Sequence, residues 1–338
     1  MQTVDTFGTS DSPEISLHAS GAIGVLSTAS ASPLTPTKTY NGGYKEAKDI
    51  RLRLANGGAG QSGLIGAFAD AFVKWCVEGS EESDSKEAPF LVGWYLGDTT
   101  QSLAYLSSDW VDVAFAYSAA AELALMRNGK AVERELVFLD HFYLVGPPSN
   151  PAELAPEDLV QDMFAKLVAN GARDALAAPS EKAPTRFLSR FDKSATNIKE
   201  SDLFIGIGQV PWALPPAVWY HVYPRFPIQA LKAASVLQEY TLTDRGTWLS
   251  STQNVRDALT VYKGQTDFEN TEGGPTRQND SDDNKVLLNP CNALLGASPL
   301  DKGLAAKFMK WLLSPDGGQK VVREFKTVDG HAIYAPAQ

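Results

Sequence analysis

Between Ile50 and Pro148, short runs of β-forming residues alternate with helical patterns. That alternation limits the possible folds more than any other feature of the chain. IRLRLA (50–55), FLVGWYLG (90–97), VDVAFAYS (111–118) and LVFLDHFYLVGPP (136–148) read as strands. Helical patterns lie between them at about 63–77, 99–106 and 119–129, the first with Leu64, Phe68, Phe72 and Trp75 on one face. Strands separated by single helices imply an α/β fold with parallel pairing, right-handed crossovers and a ligand edge at the carboxyl ends of the strands.

The first strand-to-helix turn is unusually rich in glycine. In ANGGAGQSG (55–63), Gly58, Gly60 and Gly63 fall at G-x-G-x-x-G spacing. The helix start that follows, near Gln61 and Ser62, has unpaired amides and a dipole that favour an anion. Two readings stand side by side: a cradle for a negatively charged group, or a tight βα connection with no ligand. A dinucleotide site also needs an acidic residue about 20 positions on, at the end of the second strand. That distance lands in EGSEESDSKE (78–87), which reads as a solvated loop and weakens the dinucleotide version.

Composition narrows the classes further. The 338 residues are enough for two domains, and 43% hydrophobic with 21% charged residues is ordinary for a globular protein. A net charge of −10 disfavours nucleic acid, whose phosphates need a basic surface. It also means that a small anion must be drawn in by local dipoles and a few cations. No apolar run approaches the roughly 20 residues of a membrane span. Cys76 and Cys291 are the only cysteines, so there is no disulfide framework and no cysteine-built zinc site. No cofactor or metal motif is visible.

Residues 1–47 are rich in Ser, Thr, Pro and Gly and read as a poorly ordered segment. Past Leu176, GIGQVPWALPPAVWYHVYPRFP (206–227) reads as an inserted ordered loop, and 264–285 as an acidic mobile one. Ser298-Pro299 with Asp301, and Ser314-Pro315-Asp316, read as two helix starts.

Several stretches together resemble the tungstate-binding proteins of bacterial ABC importers. They are SGLIGAF (62–68), DTTQSLAYL (98–106), DVAFAYSAAAE (112–122), DHFYLVGPPSNPAEL (140–154), FLSRFDKSATN (187–197), EYTLTDRGTWL (239–249) and FMKWLLSPDGGQK (308–320). The blocks SRFDKSAT and YTLTDRGTW are the specific ones, and the Trp- and Pro-rich insertion suggests a fungal branch of the family. The resemblance implies the two-lobed type II periplasmic-binding-protein fold, each lobe a mostly parallel sheet flanked by helices. Lobe I would hold 48–140 plus 265–338 and lobe II 141–264, with crossings near 141–146 and 258–264. It implies a solute-binding protein for a small oxyanion, a monomer with no cofactor and an unspecified transporter partner. An extracellular or periplasmic location follows from the same likeness; the absence of a visible signal peptide points to the cytoplasm if the chain is full length.

Position by position, the family's hydroxyl-rich first loop corresponds here to Asn56, the amides of Gly57 to Gly60, and Ser62. Thr99 and Ser118 match the second and third loops, and Arg190 with Ser194 and Thr196 the contribution of the second lobe. A fully deprotonated tetrahedral dianion accepts hydrogen bonds and donates none, so a cage of donors suits it. Asp192 either accepts a proton from a protonated ligand or orients Arg190. In an open cleft, Arg190 would be solvated and its loss would leave the ligand-free protein stable. A rival reading is an enzyme or organic-acid binder using His141 and His221, with Trp212 and Trp219 lining a pocket. Adjacent strand residues point to opposite faces, so Asp140 is poorly placed to orient His141 in a triad.

Overall fold

The computed structural model describes residues 34–79, 86–178, 183–264 and 285–337. The expected disorder of 1–33 and most of the acidic loop at 264–285 lie outside those residues. The first half runs β1 (Lys38–Tyr40), β2 (Ile50–Asn56), α1 (Gly58–Gln61), α2 (Leu64–Glu78), β3 (Leu91–Leu96), α3 (Thr99–Ser107), β4 (Val113–Ala116), α4 (Ala119–Arg127) and β5 (Ala131–Gly146). The middle holds α5 (Val160–Leu176), β6 (Phe187–Ser189), α6 (Ala195–Gly206), β7 (Tyr220–Val222), α7 (Pro227–Leu237), β8 (Thr241–Asp244), α8 (Arg245–Ser250), α9 (Gln253–Asp257) and β9 (Thr260–Lys263). The chain then forms β10 (Leu288–Gly296), α10 (Lys302–Leu313), α11 (Gly318–Glu324) and β11 (Ala335–Pro336).

The α/β character follows the alternation in the sequence, but the sheet is mixed rather than mostly parallel. Parallel pairing occurs for β2–β3, β2–β4 and β6–β7; the other named pairings are antiparallel. The reason is β10. It returns from far along the chain and inserts antiparallel between β4 and β5, which would otherwise be neighbours in a βαβ unit. At the other edge, Lys38–Tyr40 pairs with Val92–Trp94, so part of the stretch expected to lack order is a strand. Gly42 ties it down further by donating to Asp70 Oδ1 at 2.8 Å.

The long strand β5 changes partners partway along. From Ala131 to His141 it pairs with β10, and from Phe142 to Gly146 with β8 and β9. Its side chains change surroundings at the same place. Val137 and Phe138 join a cluster with α2, β2, β4, β10 and α10, whereas Phe142 and Leu144 join one with α5, β6, α6 and Tyr240. Leu287, just before β10, still packs in the second cluster. Each cluster has an aromatic centre: Phe68 against Phe115, Phe138 and Trp311 in the first, Phe204 against Phe164, Phe187 and Tyr220 in the second.

The inserted loop belongs to this second core. Trp219 is buried and Trp212 half-buried, both packed on Phe204 and Tyr220, so their rings are spent on packing. Helix starts also differ from expectation. Asp301, not Ser298, caps α10, accepting from the Leu304 amide at 3.0 Å while its other oxygen takes Arg51 at 2.6 Å. The interaction with Arg51 anchors the start three residues later. Helix α11 begins at Gly318 after a Gly317 cap, so Ser314 does not cap it.

Candidate functional site

The glycine-rich turn is a packing device first. A Cβ on Gly60 would lie 2.4 Å from three ring atoms of Trp94, and Gly63 sits at φ +101°, a region that disfavours any side chain. Gly58 is different, since nothing lies within 4 Å of its missing Cβ. Trp94 Nε1 donates to the Asn56 carbonyl at 3.2 Å, so the ring and the turn hold each other. Gly60→Ala is therefore expected to lower stability by about 1–3 kcal/mol through overpacking, and Gly58→Ala to be neutral within about 0.5 kcal/mol. Urea unfolding of the two variants checks this pair; equal losses would refute it.

The polar side chains of this first loop are also engaged. Asn56 is buried, its Nδ2 donating to Phe115 O at 3.0 Å and its Oδ1 accepting from Gly60 N at 2.9 Å. Ser62 Oγ donates to Ala59 O at 3.0 Å and lies 2.9 Å from the Tyr334 hydroxyl. A hydroxyl has one proton, so with Ala59 as its acceptor Ser62 receives the Tyr334 bond rather than donating it. These residues shape the loop, and Gly57 is the residue preceding α1.

The second loop is formed by a capping box. Asp98 Oδ1 accepts from Gln101 N at 2.8 Å, and Gln101 Oε1 accepts from Asp98 N at 3.0 Å, fixing the start of α3 with Thr99 buried as its first residue. Burial raises the Asp98 carboxyl above the usual aspartate range; Asp192 adds to the rise and Lys193 opposes it. Those two partners place the start of α3 in electrostatic range of the segment before α6. Ser118 precedes α4, next to Tyr117, whose phenol is pushed far up by burial and then by Cys291, Tyr334 and Asp140.

The segment from Arg190 to Thr196 is the most concentrated polar arrangement of the candidate set. Arg190 is buried; its Nε donates to Arg225 O at 3.1 Å, Nη1 to Thr196 Oγ1 at 3.4 Å, and Nη2 to Asp192 Oδ2. Asp192 thus orients the arginine, and its other oxygen accepts from Ser194 N at 3.1 Å. The expectation of a solvated Arg190 fails because three partners surround it. These bonds use three of its five N–H groups, leaving two for a further acceptor. Ser194 caps α6 by accepting from Asn197 N at 3.3 Å, and Thr196 accepts from Arg190, so both keep a hydroxyl proton to donate. Phe191 and Lys193 hold φ of 47° and 63°, a strained backbone of the kind found at functional loops.

A small recess beside this segment is lined by Arg190, Thr196, Thr243 and Asp244 and by Pro227 and Leu231 of α7. Asp244 caps α8 through Thr247 N at 2.7 Å, while Arg245 donates to Ala332 O at 2.9 Å and to the Tyr143 hydroxyl. Both are structural. Asp244 also acts electrostatically on Asp140 and on Tyr334, the residue that touches Ser62. Asp140 is buried, and burial, then Asp244, pushes its carboxyl well above the usual range. Asp244, which lines the recess with Arg190, is thus in electrostatic range of Tyr334 and Asp140.

The two histidines of the rival reading have different surroundings. His141 is buried in β5 opposite Leu288, with its amide donating to Asp140 Oδ1 at 2.7 Å. His221 lies on β7, its Nδ1 2.7 Å from Glu239 Oε2. Cys76 and Cys291 are both free and buried; burial pushes the Cys76 thiol up to about 12. Sequence reading missed Tyr334 and Asp98, and weighed Asp140 only as a partner for His141. Only Asp98 carried a local signal, the capping pattern Asp98-Thr-Thr-Gln101.

Comparison with known proteins places these features in a family. The model of the PBP superfamily domain matches residues 66–316. A protein of Haloferax volcanii, provisionally described as an ABC transporter anion-binding protein, is 27% identical over 67% of this chain and 57% of its own. The tungstate-binding protein TupA of Peptoclostridium acidaminophilum is 34% identical over 45% of this chain and 48% of its own. The match thus spans about half the length of these two relatives. A crystal structure of a periplasmic protein, provisionally described as metal-binding, superposes with a TM-score of 0.76 at 44% identity, covering 89% of this chain and 99% of that one. The two curated relatives are archaeal and bacterial, so the suggested fungal branch is not supported. With its mixed sheet, the crossing strand β5 and most of its length matched by the family model, the chain belongs to the PBP superfamily.

Proposed function

We propose that this protein binds a small oxyanion between two lobes and carries out no chemistry on it. The lobes are 48–140 with the chain from β10 onward, and the middle of the chain from about residue 141, with β5 as the shared crossing. The observation that carries the reading is the Arg190–Thr196 segment. It offers a buried guanidinium with two uncommitted N–H groups, two hydroxyl protons and the start of a twelve-residue helix, and the start of α3 lies within electrostatic range. An all-donor set of this kind suits a tetrahedral dianion.

Tungstate and molybdate head the candidates, with sulfate and phosphate behind them. The relatives support an anion and favour tungstate, one being described as anion-binding and one as tungstate-binding. A metal oxyanion also reconciles the metal-binding description of the 44% identical protein with this chain. Among the described residues no group of three or more His, Cys, Asp or Glu could hold a bare cation. In this reading Gly57 and Gly58 offer the backbone amides of the facing wall, with Thr99 and Ser118 beside them, while Asn56 and Ser62, whose Oγ–H and N–H are bonded to Ala59 O and Gly58 O, shape the loop that presents them.

A thermal-shift panel of tungstate, molybdate, sulfate, phosphate and a small carboxylate, with NAD as control, tests the proposal. A ligand at about 100 times its Kd should stabilise the folded state by about 2.7 kcal/mol, and NAD should leave the melting temperature unchanged. Absence of a shift with every tetrahedral oxyanion would overturn it.

A further inference from the structure

Within electrostatic range of Arg190 and Asp192 lies a carboxyl group that the binding site does not use. Glu200 is on α6, 1% exposed, with the Tyr220 hydroxyl donating to its Oε1 at 2.6 Å. Its second partner is Ser189. Ser189 Oγ already accepts from Phe191 N at 3.2 Å and from Asn197 Nδ2 at 3.4 Å. With both lone pairs used, Ser189 keeps one proton to donate, within reach of the Glu200 carboxyl and of the Tyr220 oxygen. The same serine therefore holds the backbone of the anion segment and acts on the Glu200 carboxyl.

We propose, resting on the oxyanion reading, that Glu200 is a proton-linked positioning residue whose gain of a proton accompanies capture of a dianion by the Arg190–Thr196 segment. The charged and titratable groups that act on Glu200 are Tyr220 from β7 and Asp192 and Arg190 from the segment itself. Burial is the main influence and raises its carboxyl to about 8; the Ser189 and Tyr220 hydrogen bonds lower it, Asp192 raises it and Arg190 lowers it. Both protonation states can be satisfied, because the Tyr220 oxygen can accept from a neutral carboxyl as well as donate to an ionised one. Only the ionised state places a negative charge in a dry region close to the bound anion, where repulsion is weakly screened.

The sign follows. Below about pH 8 Glu200 is neutral and adds no negative charge to that of Asp192, which Arg190 already pairs. Above it, an arriving dianion must either meet a second negative charge or draw a proton onto Glu200, and affinity falls.

Calorimetric titration with sodium tungstate, which stays fully deprotonated across the range, tests the linkage between about pH 7 and about pH 9.5 in buffers of different ionisation enthalpy. Wild-type affinity should fall about tenfold, with proton uptake on binding at the upper end. Glu200→Gln, which keeps the shape of the side chain, should hold a constant affinity and take up no proton. Tyr220→Phe removes a hydrogen bond that favours the ionised carboxyl, so it should move the midpoint of the profile to higher pH, and it remains available if Glu200→Gln does not fold. Tungstate binding with a flat wild-type profile, a Glu200→Gln profile like that of wild type, or an unmoved midpoint in Tyr220→Phe overturns the inference and leaves the oxyanion site standing. No binding of tungstate, molybdate, sulfate or phosphate at about pH 7 overturns both.

Discussion

Arg190→Ala should weaken tungstate binding by roughly 10- to 100-fold and also destabilise the ligand-free protein by about 1–3 kcal/mol. The first effect is the loss of a charge-assisted, two-pronged donor to the anion. The second arises because the guanidinium is already part of the fold. It satisfies Arg225 O and Thr196 Oγ1, and it neutralises Asp192, whose side chain is only 22% exposed. Removing it leaves a half-buried carboxylate without its counter-charge, tempered by the water that still reaches it. Arg190→Lys should keep most of the stability but little of the affinity, since a point charge cannot serve Asp192, Arg225 and a ligand at once. Titration calorimetry and urea unfolding on both variants separate the two effects. Undiminished affinity in Arg190→Ala would move the site elsewhere, and unchanged stability would mean that the three contacts contribute nothing to folding.

The second large effect should come from Asp112→Ala, well away from the ligand segment. Asp112 is fully buried at the start of β4 and ties three parts of the chain together. Its Oδ2 accepts from Arg53 N at 2.7 Å, and its Oδ1 accepts from Arg53 Nη2 at 2.6 Å and from Leu300 N at 2.7 Å. It thus links β2 to β4 and to the segment that leads into α10. Alanine would leave Arg53 Nε and Nη2 and two amides without an acceptor, the guanidinium keeping Asp109 O at 3.1 Å but losing its counter-charge, which should cost about 3–5 kcal/mol. Asp112→Asn keeps the shape but has only one carbonyl oxygen for these donors, so it should fall between alanine and wild type. A loss below about 1 kcal/mol for Asp112→Ala in urea unfolding would show that water replaces the carboxylate without penalty.

Much of this architecture is visible in the sequence wherever the governing interactions are local. Period-3.6 and strand-like patterns mark α2, β2, β3 and β4, because helical and pleated geometry place near neighbours on shared faces. The block Ser189 to Thr196 stands out in the sequence through its resemblance to the family, and its cohesion is local, with Arg190, Asp192, Ser194 and Thr196 linked within six positions. Helix starts are less secure. Ser298 and Asp301 both suit a cap, and the distant Arg51 anchors Asp301, beginning the helix there.

What the sequence by itself determined, then, is the α/β class, the strand-and-helix order of the first half and the polar segment around Arg190. Only the tertiary structure decided that β10 returns between β4 and β5 and that Tyr334 meets Ser62 from 272 residues away. It also decided that Asp98 comes into electrostatic range of Asp192, and that Glu200 is buried within range of Asp192 and Arg190. Periodicity and capping report interactions within a turn or two of the chain. Which strand pairs with which, and which carboxyl loses its water, depends on segments that the chain brings together only when its two cores close.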